Sequence, residues 1–159
     1  MNAALKAALV VLVSGLCAVP ALSAPQVTEK LKTYKVDATT VTGIRNQMRS
    51  RGPKGFWGYT TWQIRWSSGC QVTAKIQVTL PRHTNPSAMP QRVKRAFDAM
   101  VKNLHAHERL HAQHGIDAAY EIDRAGCRGA QKIIRKYNRA DRALDKRTDH
   151  GKRDGVVFD

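Results

Sequence analysis

Three features of the sequence predict an α+β fold, in which a small antiparallel sheet packs on two long antiparallel helices. Apolar residues alternate along Tyr59–Trp66 and again along Cys70–Leu80, the period of strands with one buried face. From Val93 to Leu144 they recur instead every third or fourth position, the period of helices. Turn chemistry interrupts both runs where a reversal is needed, at Ser67-Ser68-Gly69 and at Gly126-Cys127-Arg128-Gly129.

The chain opens with a positive residue, Lys6, an apolar run from Ala7 to Val19 and then small residues, which is the pattern of a secretory signal. The run is too short to span a bilayer. Leu16 stands before Cys17 where a lipoprotein signal wants a small residue, so the expectation is a cleaved segment 1–24 and a single exported domain over 25–159, in the periplasm or outside the cell. Thr33–Val36 suits a strand beside the hairpin. Thr39 or Thr40 can cap a helix that runs through Ile44 and Met48 and stops near Gly52-Pro53. Trp62, Ile64 and Trp66 share one face of the first hairpin strand and are expected in the core. Past Asn85-Pro86-Ser87, with Pro90 tolerated in a first turn, Val93, Phe97, Met100 or Val101 and Leu104 begin a helical stripe that continues through His107, His111 and His114 to Ala118 and Ile122. A second helix over Ala130–Asp145 carries Ile133, Ile134, Tyr137 and Leu144; the short turn between the two makes them antiparallel neighbours.

Losing Cys17 with the signal leaves Cys70 and Cys127, an even pair that reads as a disulfide in an oxidising compartment. The formal charge is +15, concentrated in the last third at Arg135-Lys136, Arg139, Arg142, Lys146-Arg147 and Lys152-Arg153. For an exported protein such charge fits anionic lipid or acidic envelope polymers. No recognition-helix motif accompanies it, so nucleic acid is not an expected partner.

His107-Glu108-Arg109-Leu110-His111 is an H-E-x-x-H sequence placed on the buried face of the long helix. Residues four apart lie one turn from each other, so both imidazoles can reach one ion at about 2.0–2.1 Å. Glu108 sits beside that ion as the base for an attacking water whose pKa zinc lowers to about 7. Histidines hydrogen-bonded within a core are the plainer reading of the stripe. One zinc ion is expected, with His107, His111 and a third protein ligand, leaving a position open for water as catalysis requires. Four residues compete for the third place. His114 lies about 10 Å along the helix axis from His107, too far for three imidazoles to converge easily. Asp117 has the metzincin spacing, but that pattern needs glycine at 114. Glu121 requires the helix to break at Gly115. His150 is preferred: if the chain reverses near Gly126, residues 140–145 return to the level of His107–His111, and the segment beyond folds His150 onto the metal. Asp145 or Asp149 would then orient an imidazole. Arg109, Arg142 or Arg147 could add positive charge beside the reacting carbonyl.

The sequence resembles a family of predicted secreted zinc-dependent bacterial proteases, grouped as a domain of unknown function. The resemblance rests on Tyr34 and Val36, Gly52-Pro53, Gly58, Thr60-Thr61-Trp62, Trp66, Cys70, Leu80-Pro81, the H-E-x-x-H, and Asp145 with Thr148-Asp149-His150-Gly151. It implies a zincin-like metallopeptidase and brings no substrate; an envelope protein or a peptidoglycan cross-bridge peptide is compatible with a basic exported enzyme. The rival expectation is a non-enzymatic, metal-stabilised cationic module that binds the envelope.

Overall fold

The computed structural model describes residues 24–159, so the proposed signal segment lies outside the described residues apart from Ala24. Strand β3 (Val72–His83) is the centre of a three-stranded sheet, with β1 (Gln26–Val36) on one side and β2 (Tyr59–Trp66) on the other. The alternation in β3 buries Val72, Ala74, Ile76, Val78 and Leu80 together, as the period of two requires. β2 and β3 form the expected hairpin through 67–71, with Trp62 opposite Ile76 and Ile64 opposite Ala74.

The sheet is mixed, not antiparallel: β1 runs parallel to β3, from Gln26 opposite Thr73 to Val36 opposite His83. The reason lies in the short connection. Val36 ends β1 at the C-terminal end of β3, and Tyr59 starts β2 at that same end, opposite Thr79. Helix α1 (Val41–Arg51) spans only about 16 Å and stays near that end, so β1 and β3 must point the same way. Thr40 caps α1 through its hydroxyl, which accepts from the Gly43 amide at 3.2 Å. Tyr34 ties β1 to the loop that follows α1, its hydroxyl donating to the Trp57 carbonyl at 2.8 Å.

Helix α2 (Gln91–Arg124) is continuous, and α3 (Ala130–Thr148) extends three residues past the expected end. The buried side of α2 carries Phe97, Met100, Leu104, Ala112, Ala119 and Ile122 in one core with the apolar residues of β3. Gly115 does not turn the helix. A Cβ there would sit 2.6 Å from Cβ and Cγ of Trp62, so the missing side chain lets α2 lie directly on β2. His107 near Asp145, His114 near Asp141 and Glu121 near Tyr137 confirm that α2 and α3 run antiparallel.

Cys70 and Cys127 form the expected disulfide, 57 residues apart in sequence. It pins the α2–α3 turn to the hairpin turn. On the chain-entropy account a loop of this size contributes about 4 kcal/mol. Reduction should therefore lower the unfolding free energy by that order, while any metal content per folded molecule stays the same because neither cysteine belongs, among the described residues, to a group that could hold an ion. Chemical denaturation with and without reductant, followed by metal analysis, reads both.

Candidate metal centre

His107 and His111 project from the buried side of α2, one turn apart, with ring centroids 5.0 Å from each other. Their Nε2 atoms approach to 3.3 Å. From α3, Asp145 brings Oδ1 to 3.1 Å from His111 Nε2 and 3.5 Å from His107 Nε2. The far side of each ring is held as well. His107 Nδ1 lies 2.9 Å from Asp154 Oδ2, and His111 Nδ1 lies 2.9 Å from Asp141 Oδ1.

These contacts set the tautomers. An ionised carboxylate only accepts, so each Nδ1 donates and each Nε2 presents a lone pair. Two imidazole lone pairs and a carboxylate oxygen therefore converge on one point. Two cations could resolve that repulsion. One is a proton on His111: burial lowers the pKa of this ring, but the hydrogen bond and charge of Asp141, with Asp145 and Glu108, raise it overall. The other is a metal ion, which three such atoms could hold together. His107, His111 and Asp145 form a group that could hold one.

Glu108 is buried beside them. Thr60 Oγ1 lies 2.8 Å from its Oε2 and 3.0 Å from its backbone carbonyl, linking the start of β2 to α2. Burial pushes the Glu108 pKa up; the Thr60 hydroxyl and the two imidazoles oppose that shift in part. Gly58 makes the room, because a Cβ there would come 2.9 Å from Glu108 Oε1 and 2.7 Å from Leu104. Above these groups opens a cavity of about 360 Å³, walled by the 55–60 segment, α2 and the tail after α3. Phe56 and Tyr59 stack at its rim, their centroids 6.1 Å apart.

The residues weighed for the third position separate clearly. His150 lines the cavity, but its side chain is 61% exposed and its Nδ1 is 3.8 Å from Asp145 Oδ1. It stands at the rim, 6.0 Å from the Phe56 ring, outside the group of three. Asp149, His150 and Gly151 all have left-handed backbones, with φ of 50°, 51° and 85°, and this run turns the tail back over His107. His114 Nδ1 is 2.6 Å from Asp141 Oδ1, so with His111 it shares that carboxylate. His111, His114 and Asp141 also lie close enough to hold an ion. The short separations and the Trp62 Nε1 donor on Asp141 Oδ2, at 2.9 Å, make this a hydrogen-bond cluster built around Asp141. Together these donors keep Asp141 below the usual carboxylate range, although burial works against them. Asp117 accepts from Gln113, and Glu121 accepts from Lys136 and Tyr137, so neither faces His107. The helix stays intact at Gly115, which removes the premise for Glu121.

Asp145, expected with Asp149 to orient an imidazole, instead joins His107 and His111 in a group that could hold an ion, a group that does not include His150, and the carboxylates behind the two rings are those of Asp141 and Asp154. Neither of those two was singled out from the sequence. Asp141 and Asp145 are i,i+4 acids on the apolar side of α3, beside Tyr137 and Leu144, and that placement was the available signal. Asp154 carried none, since its position depends on the turn at Gly151–Gly155. Of the arginines considered for the carbonyl, Arg109 pairs with Glu29, and Arg142 and Arg147 are exposed on α3. Lys152 lines the cavity, paired with Asp149 at 3.0 Å.

A family described as "Bacterial protein of unknown function (DUF922)" matches residues 31–151. The chain belongs to this family. The DUF922 match covers His107, Glu108, His111, Asp141 and Asp145, and it ends three residues before Asp154, the partner of His107. No curated protein and no solved structure matches the chain.

Proposed function

We propose that this DUF922 protein is an exported zinc-dependent metallopeptidase. The observation that carries the reading is the convergence of His107 Nε2, His111 Nε2 and Asp145 Oδ1, with separations of 3.1–3.5 Å, beside the buried carboxylate of Glu108. Bonds of about 2.0–2.1 Å to a tetrahedral zinc place ligand atoms about 3.3–3.4 Å apart, so the donors fit zinc with little adjustment. Two nitrogens and one oxygen are a suitable donor set, and both imidazoles are oriented by carboxylates behind them. Three protein ligands leave one position open, the condition for catalysis.

When bound, the ion supplies Lewis acidity, polarising the scissile carbonyl and acidifying the attacking water. Glu108 takes the proton from that water and returns it to the leaving amine. Thr60 holds the Glu108 carboxylate toward the cavity, and Gly58 keeps the approach open. The Phe56–Tyr59 rim and Leu104 offer apolar surface to a peptide side chain. The Cys70–Cys127 bridge supports an oxidising, extracytoplasmic setting.

The test is hydrolysis of an unstructured protein by the purified chain after chelation and after stoichiometric zinc. Activity should vanish with the chelator and return with zinc; activity indifferent to both would end the proposal.

The pH profile gives a second check. Glu108 must be ionised to act, so activity falls as the pH drops through its pKa. The Thr60 hydroxyl lowers that pKa. Thr60→Val should therefore move the acidic limb of kcat to higher pH, leaving any alkaline limb in place. A limb that stays put, or moves down, would show that the Thr60 contact does not govern the base.

A further inference from the structure

Helix α3 contains only two acidic residues, Asp141 and Asp145, and both turn inward to the metal centre. Its outer face is left to cations. Lys132, Arg135, Arg139, Arg142 and Lys146 follow one another at intervals of three and four, which aligns them in one stripe about 21 Å long on a helix rising 1.5 Å per residue. The first four, like Lys146, are exposed. Among the described residues, none of the five forms an ion pair, whereas Arg51, Lys94, Arg109, Lys136 and Lys152 each have a carboxylate partner. A helix face that is merely solvated mixes signs and gains from i,i+4 pairs. Here Arg135–Arg139 and Arg142–Lys146 are like-charged at that spacing, which costs stability in the free chain.

We infer that this stripe is a docking surface for an anionic phospholipid bilayer. The shape favours a plane over a strand of polyanion. The stripe lies on a convex helix surface, and the cavity beside it is lined by Asp141 and Asp145 but by none of the five cations. A row of five charges on a convex face meets a flat layer of phosphates along its whole length, while a single polymer strand would need a groove to hold it there. The stripe is centred about 120° around α3 from Asp141 and Asp145, at 100° per residue. Docking would therefore leave the cavity open at the side of the bound molecule, next to the membrane surface. The surface is independent of the chemistry proposed for the metal centre.

Co-sedimentation of the full mature chain, disulfide intact, with phosphatidylcholine vesicles lacking or containing phosphatidylglycerol tests the inference. The chain should bind only the anionic vesicles and should be released as salt shortens the Debye length toward about 3 Å. Arg135→Gln/Arg139→Gln/Arg142→Gln should weaken binding by about 100-fold, from the usual contribution per basic residue near such a surface. Lys30→Gln/Lys32→Gln/Lys35→Gln, which removes the same charge from exposed positions on β1, should leave binding within about twofold of the parent. Thermal melts establish that both variants are folded. Equal losses in the two would mean that net charge alone binds, and would overturn the inference. So would a parent chain that ignores anionic vesicles but binds linear polyphosphate.

Discussion

Glu108→Gln should lower kcat by about 10²–10⁴-fold, the usual contribution of a positioned general base, without loss of metal or fold. Glutamine has the same shape, and its carbonyl can still accept from Thr60 Oγ1, so the hydrogen bond that holds the side chain survives. The three atoms that could hold an ion belong to other residues. The substitution should even favour folding of the metal-free chain. Burial raises the Glu108 pKa, so the stability this residue contributes is fully present below its unfolded value, about 4.3, and is lost as pH rises through the raised folded value. At neutral pH glutamine avoids that loss. Turnover, zinc stoichiometry and the metal-free melting temperature, measured on one preparation, separate the readings. A non-enzymatic binding module would show no effect on its binding. A variant that lost zinc as well as activity would mean that Glu108 helps hold the ion.

The second large effect concerns the third metal position. Asp145→Ala removes a converging oxygen and should weaken zinc binding by more than about 100-fold. Asp141→Asn and Asp154→Asn remove the acceptors behind His111 and His114, and behind His107, and should cost about 10–100-fold each, the range for partners that orient a ligand. His150→Ala should leave affinity nearly unchanged, since the ring is exposed at the rim and stands outside the group of three. Competition against a chromophoric chelator gives all four values. Loss in His150→Ala with retention in Asp145→Ala would restore the histidine to the metal.

The sequence by itself determined the elements and their faces. Alternation between Tyr59 and Leu80 and the three-and-four spacing from Val93 onward are local properties, and a buried stripe is written into them wherever the element ends up. His107, Glu108 and His111 were legible for the same reason: one turn of helix places them together without help from the rest of the chain. The disulfide could also be read, because only two cysteines remain after residue 24.

The direction of β1 was not legible. Its side-chain pattern is the same whether it pairs parallel or antiparallel, and only the return of the chain through α1 to the same end of β3 decides. Nor were the acidic partners. Asp141, Asp145, His150 and Asp154 lie within fourteen residues of one another, and each is a plausible companion for a histidine. Which of them joins His107 and His111, which orients a ring and which stays at the rim depends on the rotation of α3 against α2 and on the left-handed turn from Asp149 to Gly151. Those are differences of a few ångströms set by packing across the α2–α3 interface and the Gly115–Trp62 contact. Residue spacing along α3 fixes where an acid lies on its own helix; only the tertiary contacts fix what it faces.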